Sequence, residues 1–149
     1  MDKTKRMRFI NIGFTVVVLI LATVLSIHFG SNKIDFSLAD STLTVTGPDK
    51  FSYSVKYENI NKFIYLVDFD KGEETSGGTK RKINYGSWVN GDLGTYNLCV
   101  SEKINTYIYV ESKSGDKLVF NYDDAEFTLK LYNTLKETFE KNNYSVIYE

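Results

Sequence analysis

One cysteine, one histidine, one proline and one tryptophan stand in 149 residues, and each scarcity closes off a class of chemistry. A lone Cys99 forms no internal disulfide framework and no multi-thiolate zinc site. A lone His28 rules out every metal or catalytic arrangement that needs two imidazoles. Net charge is small as well. The total is −1, and because Lys3, Lys5, Arg6 and Arg8 against Asp2 place +3 on the first eight residues, everything after them carries −4. A mildly acidic body argues against a nucleic-acid partner. Apolar and aromatic side chains, by contrast, are plentiful at 42% and 15%, enough buried area to offset chain entropy, so the bulk of the chain is expected to fold as one domain.

Charge is absent altogether from Phe9 to Phe29, a run of 21 residues that as a helix is about 31 Å long, matching a hydrocarbon core of roughly 30 Å. The run is expected to span a bilayer. A cleaved secretory signal shares the basic start, but Ser26, His28 and Gly30 offer no clean small-x-small site and the apolar run exceeds the usual signal length. The basic excess before the span, against Lys33 alone close behind it, places the N-terminus in the cytoplasm and the remainder outside. His28 falls at the outer interface, and Ala22 with Ser26 forms a single small-xxx-small pair.

Beyond Gly30 short β-branched and aromatic segments alternate with Gly, Asn, Asp and Ser, the pattern of strands and turns. Expected strands are Ile34 to Leu38, Thr42 to Thr46, Phe51 to Val55, Ile60 to Val67, Ile83 to Val89, Gly94 to Val100, and a hairpin of Tyr107 to Val110 with Lys117 to Asn121 around Ser114-Gly115-Asp116. Asp68 to Lys82 reads as the longest and least ordered loop. The period then switches to helical, with Asp123 as cap, Glu126 completing a capping box, and Thr128, Leu129, Tyr132, Leu135 and Phe139 as the apolar stripe through Lys141. Tyr144 to Tyr148 reads as a last extended piece or a tail.

The stretch Asn90-Gly91-Asp92-Leu93-Gly94-Thr95-Tyr96, then Tyr107 to Val110, then Asn121, Thr128, Tyr132 and Leu135, resembles the bacterial pleckstrin-homology-like (PH-like) domain family over roughly Asp40 to Leu135. The resemblance implies a mainly β (α+β) fold: a bent seven-stranded antiparallel sheet or partial barrel capped by one C-terminal helix, often accompanied by a transmembrane helix. The expected organisation is therefore residues 1–8 as a basic cytoplasmic segment, 9–29 as the span, 30–39 as linker and first strand, 40–141 as the PH-like domain, and 142–149 as a C-terminal extension. Phosphoinositide-binding relatives carry a basic motif in the first hairpin. The turns available here hold only Lys50 in one and Asp40 with Ser41 in the other, so no phosphoinositide is expected.

Lys80-Arg81-Lys82 beside Gly77-Gly78 is the dense basic run outside the N-terminus, a candidate anion-binding or partner loop. Asp68, Asp70, Glu73 and Glu74 raise a calcium reading, but Gly72 falls at loop position five instead of six and Thr79 occupies position twelve, so no metal is expected. Cys99 reads as a buried apolar residue unless it points outward, where it would be free to pair with another chain; Trp88 and Tyr85 read as core. With His28 in the span, no nucleophile–base pair is recognisable, and no cofactor or catalytic residue is expected. The functional expectation is a single-pass, non-catalytic interaction or scaffolding module outside the cytoplasmic membrane with a membrane or envelope protein partner. An extracytoplasmic small-ligand or ion sensor is the alternative, and an envelope enzyme a third.

Overall fold

A computed structural model of the chain describes residues 32–148. The expected span at 9–29 lies outside them, and among the described residues no helix is long and apolar enough to cross a membrane. Among the described residues the fold is mainly β, with nine strands in two sheets, one C-terminal helix and no closed barrel. Strands β1 (Asp35–Ser37), β2 (Thr42–Thr46) and β3 (Ser52–Lys56) form an antiparallel meander. Strands β4 (Ile60–Val67), β5 (Glu73–Lys80), β6 (Ile83–Asn90), β7 (Gly94–Ser101), β8 (Thr106–Ser112) and β9 (Lys117–Phe120) form the second sheet, in the order β4-β8-β9-β7-β6-β5.

Two features depart from a seven-stranded antiparallel sheet. The expected loop Asp68 to Lys82 is mostly strand: β5 pairs with β6 over its whole length, because the Lys80↔Ile83 pair leaves only Arg81-Lys82 as the turn. Its glycines and charges mask the strand in the sequence, since it has no buried face to impose alternation. The sheet is also not purely antiparallel. The β8–β9 hairpin inserts β9 between β8 and β7, so β9 runs antiparallel to β8 and parallel to β7. Buried Asn121 closes this junction: Ser101 N donates to its Oδ1 at 2.7 Å, and its Nδ2 donates to Ser101 O at 3.2 Å and Thr106 O at 3.1 Å.

Strands β4 and β5 lie at opposite edges of the second sheet, yet five residues, Asp68 to Gly72, join them. A flat six-stranded sheet is about 24 Å wide, whereas six Cα steps reach about 21 Å at most. The sheet must therefore curl. The β5–β6 hairpin bends at the facing pair Gly77 and Gly86, whose φ values of 118° and 116° lie outside the range of ordinary L residues. A Cβ on either would come within 2.1 Å of a backbone oxygen of the other strand.

Curling gives the sheet two cores. Its concave face gathers Trp88, Tyr96, Leu98, Val100, Tyr107, Tyr109 and Val119, and the β4–β5 link crosses this face with Phe69 edge-on to Tyr96 and Tyr107, each at 5.8 Å. The link is latched there, since Tyr96 Oη donates to Lys71 O at 2.5 Å and Asn105 Nδ2 to Asp68 Oδ1 at 2.5 Å. The opposite face packs Phe63, Ile108, Val110, Leu118 and Phe120 against the three-stranded sheet and helix α1 (Ala125–Lys141).

The helix is capped by Asp124, whose side chain accepts from Phe127 N at 2.7 Å. Asp123, the expected cap, instead pairs with Lys103 at 2.9 Å. The buried stripe is Thr128, Leu131, Tyr132, Leu135 and Phe139. Leu129 is 42% exposed, since it sits one step round the helix from the buried Thr128. Phe139 makes edge contacts with Phe63 and Tyr57, both at 5.1 Å. Past the helix, Tyr144 packs edge-on to Tyr57, and Ile147 bonds to β4 in parallel through Phe63 N→Ile147 O at 2.8 Å and Ile147 N→Asn61 O at 2.9 Å.

Gly86→Ala should lower the unfolding free energy by about 2–4 kcal/mol in denaturant titrations, through backbone strain and a steric clash. Gly91→Ala, where an added Cβ meets nothing within 4 Å, should stay within about 0.5 kcal/mol of the parent. Replacing Asn121 by Leu leaves the Ser101 and Thr106 backbone groups unpaired in the interior and should cost about 3 kcal/mol or more by the same measurement.

Candidate functional site

Lys80, Arg81 and Lys82 are adjacent in sequence but do not act as one cluster. Lys80, the last residue of β5, sends its Nζ to Asp49 Oδ1 at 2.8 Å, and Tyr85 Oη donates to the other oxygen of the same carboxylate. Asp49 stands in the β2–β3 connection, so this triad ties the three-stranded sheet to the β5–β6 hairpin. The hydrogen bond from Lys80, then that from Tyr85, holds the Asp49 carboxyl below the usual aspartate range. Reciprocally, the bond to Asp49, then burial, pushes the Tyr85 phenol up.

Arg81 and Lys82 are the two turn residues, both left-handed at φ 51° and 63°. A two-residue hairpin turn of type I′ requires this of both positions and favours Asn-Gly there. Arg81 lines a cleft of about 220 Å³ with Lys33, which precedes β1, and with Lys103, which follows β7. Buried Ser101, half-buried Tyr122 and exposed Asp123 complete much of its wall. Across it Lys103 pairs with Asp123 at 2.9 Å, both partners at least half exposed, and a surface pair of this kind contributes at most about 1 kcal/mol. Sequence reading found Arg81 but missed Lys33, Lys103 and Asp49, because residues so far apart along the chain meet only through the sheet order.

The acidic run Asp68, Asp70, Glu73 and Glu74 is dispersed: Asp68 takes the Asn105 amide, Asp70 Oδ1 accepts from Gly72 N at 2.9 Å, and the two glutamates are in β5. No group of three or more His, Cys, Asp or Glu gathers among the described residues. Cys99 is buried under the β2–β3 connection, its Sγ lying 2.6 Å from where a Cβ on Gly47 would be, and burial pushes the thiol up to about 12. It is inert and points inward. Trp88 and Tyr85 are both buried, one in each core.

Beside the cleft, the molecule offers strand edges. Ile147 covers part of the outer edge of β4, while among the described residues β5 pairs only with β6, leaving its other edge open for eight residues, nearly all exposed. A wider groove runs between the free edge of β3 and the β8–β9 turn, lined by Tyr53, Lys56, Lys113 and Asp116. Burial, then the nearby Asp116 charge, pushes the Tyr53 phenol up to about 12.

Compared with known protein families, curated proteins and solved structures, the chain matches none.

The Asp49 triad has a pH signature. A carboxylate held below its ordinary value of 3.8 contributes stability that is complete above about pH 4 and fades as pH falls through the lower folded-state value. The raised Tyr85 phenol contributes fully below about pH 10 and loses that contribution as pH rises through its folded-state value. Asp49→Asn should therefore lose less stability than the parent on acidification below about pH 4, and Tyr85 in it should titrate closer to its ordinary value, read by ¹³C NMR of the tyrosine ring carbons.

Proposed function

We propose that the chain is a single-pass, membrane-anchored, non-catalytic interaction module. In this reading residues 9–29 are the anchor, residues 1–8 are cytoplasmic, and a domain of PH-like type lies outside the cytoplasmic membrane and recognises a membrane or envelope protein. The observation that carries it is the open edge of β5. An extended partner segment can add there as a further strand, main-chain hydrogen bonds supplying affinity and side chains supplying selectivity. The edge is not generic. A register shift between Glu74 and Ser76 and the bend at Gly77 interrupt it, and glutamates at one end with Lys80 at the other set a polarity. Bulges and charges of this kind suppress indiscriminate pairing, so a cognate strand has to follow the bend and match the charges. The PH-like assignment is supported by the two-sheet β architecture with one C-terminal helix and by the motif residues that fall on its structural joints: Gly94 opening β7, Asn121 at the parallel junction, and Thr128, Tyr132 and Leu135 on the buried helix face.

In intact cells, a photo-crosslinking amino acid at Thr75 or Ser76 should capture a discrete membrane or envelope protein, and one at Lys113, on the β8–β9 turn, should not. Recovery of only the free chain from the β5 positions would overturn the reading.

A further inference from the structure

We infer that the strand which adds to the open edge of β5 is β5 of a second copy of this chain, running antiparallel about a two-fold axis at Gly77. The inference rests on the open-edge reading and names its partner. Glu73 and Glu74 begin β5, Arg81 and Lys82 directly follow it, and none of the four forms an ion pair among the described residues. Lys80 is already held by Asp49 and is not counted. A segment with unpaired acids at one end and unpaired bases at the other is complementary to itself in reverse, so each copy's glutamates meet the other's turn, twice over by symmetry. Parallel addition would set acid against acid and base against base, which is unfavourable at opposed positions.

The shape of the edge selects the same partner. An incoming strand must follow the bend at Gly77 and the register shift between Glu74 and Ser76. A second β5 with its Gly77 opposite Gly77 carries the same bend at the same point. Lys80 and Ile83 flank a two-residue turn and so exchange main-chain hydrogen bonds; by alternation Thr79 and Gly77 turn their main-chain groups outward, as does Glu74 across the shift. With the extra residue Thr75 counted together with Ser76 as one rung, Gly77 pairs with Gly77 and Thr79 with Glu74 of the other copy. Each outward-facing residue from Glu74 to Thr79 thus meets another, and Arg81 comes diagonal to Glu74, at the spacing of about 7–8 Å that long side chains bridge. Ser76, Gly77 and Gly78 at the centre carry little or no side chain, so nothing holds the two backbones apart.

Eight residues a side fall short of the roughly 20–30 of a stable interface, so the pairing is a weak one that high local concentration supports, and it is best read by trapping in cells.

The test uses two full-length chains with different affinity tags, co-expressed, each with a photo-crosslinking amino acid at Ser76, next to the axis. A crosslinked species carrying both tags is expected. Glu73→Lys/Glu74→Lys in both chains, or Arg81→Glu/Lys82→Glu in both, should reduce that species at least about tenfold through like-charge repulsion. One chain of each kind should restore it, which misfolded variants would not do. Loss without restoration, or undiminished crosslinking in either reversed pair, would overturn the second copy as partner. Crosslinks to a different protein alone would overturn it and leave the open-edge reading standing, and recovery of free chains alone would overturn both.

Discussion

The architecture depends on a length constraint: five residues must join strands at opposite edges of a six-stranded sheet. That link cannot reach across a flat sheet, so curvature is imposed by connectivity before any side chain is considered. Gly77 and Gly86 supply the bend the constraint demands, and the concave face that results is filled by the link itself through Phe69. A loop in the sequence thus does the work of a lining layer, and the second core exists because of it.

The other face faces a different problem, since a three-stranded sheet and one helix must share a single apolar layer. Leu43, Val45 and Val55 from the meander and Leu131, Leu135 and Phe139 from α1 meet it from separate directions. The close approach of Gly47 to Cys99 and the Asp49 triad fix the meander against the β5–β6 hairpin at its rim. The hairpin that bears both the open strand edge and the basic turn is therefore held near its tip by Asp49 and bends at its middle at the glycine pair. A surface intended for recognition gains from such anchoring, because less freedom is lost on binding.

Much of this was legible in the residues. Alternation and turn chemistry located Thr42–Thr46 and Ile60–Val67 to the residue, and the helical period ending at Lys141 placed α1. The failures have physical causes. Glu73–Lys80 has almost no buried residue, so neither periodicity nor β-branched enrichment marks it, and the pairing with β6 alone makes it a strand. Two consecutive aspartates made the cap ambiguous, and only tertiary pairing of Asp123 with Lys103 assigns capping to Asp124. The parallel placement of β9 depends on which gap a hairpin fills, a long-range choice that local pattern does not encode. Of the candidate site, only Arg81 carried a sequence signal, since Lys33 and Lys103 are single lysines in ordinary surroundings.

The seat of Ile147 against β4 has a consequence for shortened versions of the chain. With those last residues in place, the two borders of the curled sheet are unlike among the described residues: one is partly sealed and the other is bare. Ending the polypeptide at Lys141 would bare both, and a molecule with two unsatisfied, differently shaped borders docks head to tail with copies of itself without closing a ring. Filaments or precipitate, not a softened monomer, are the form in which that truncation would announce itself.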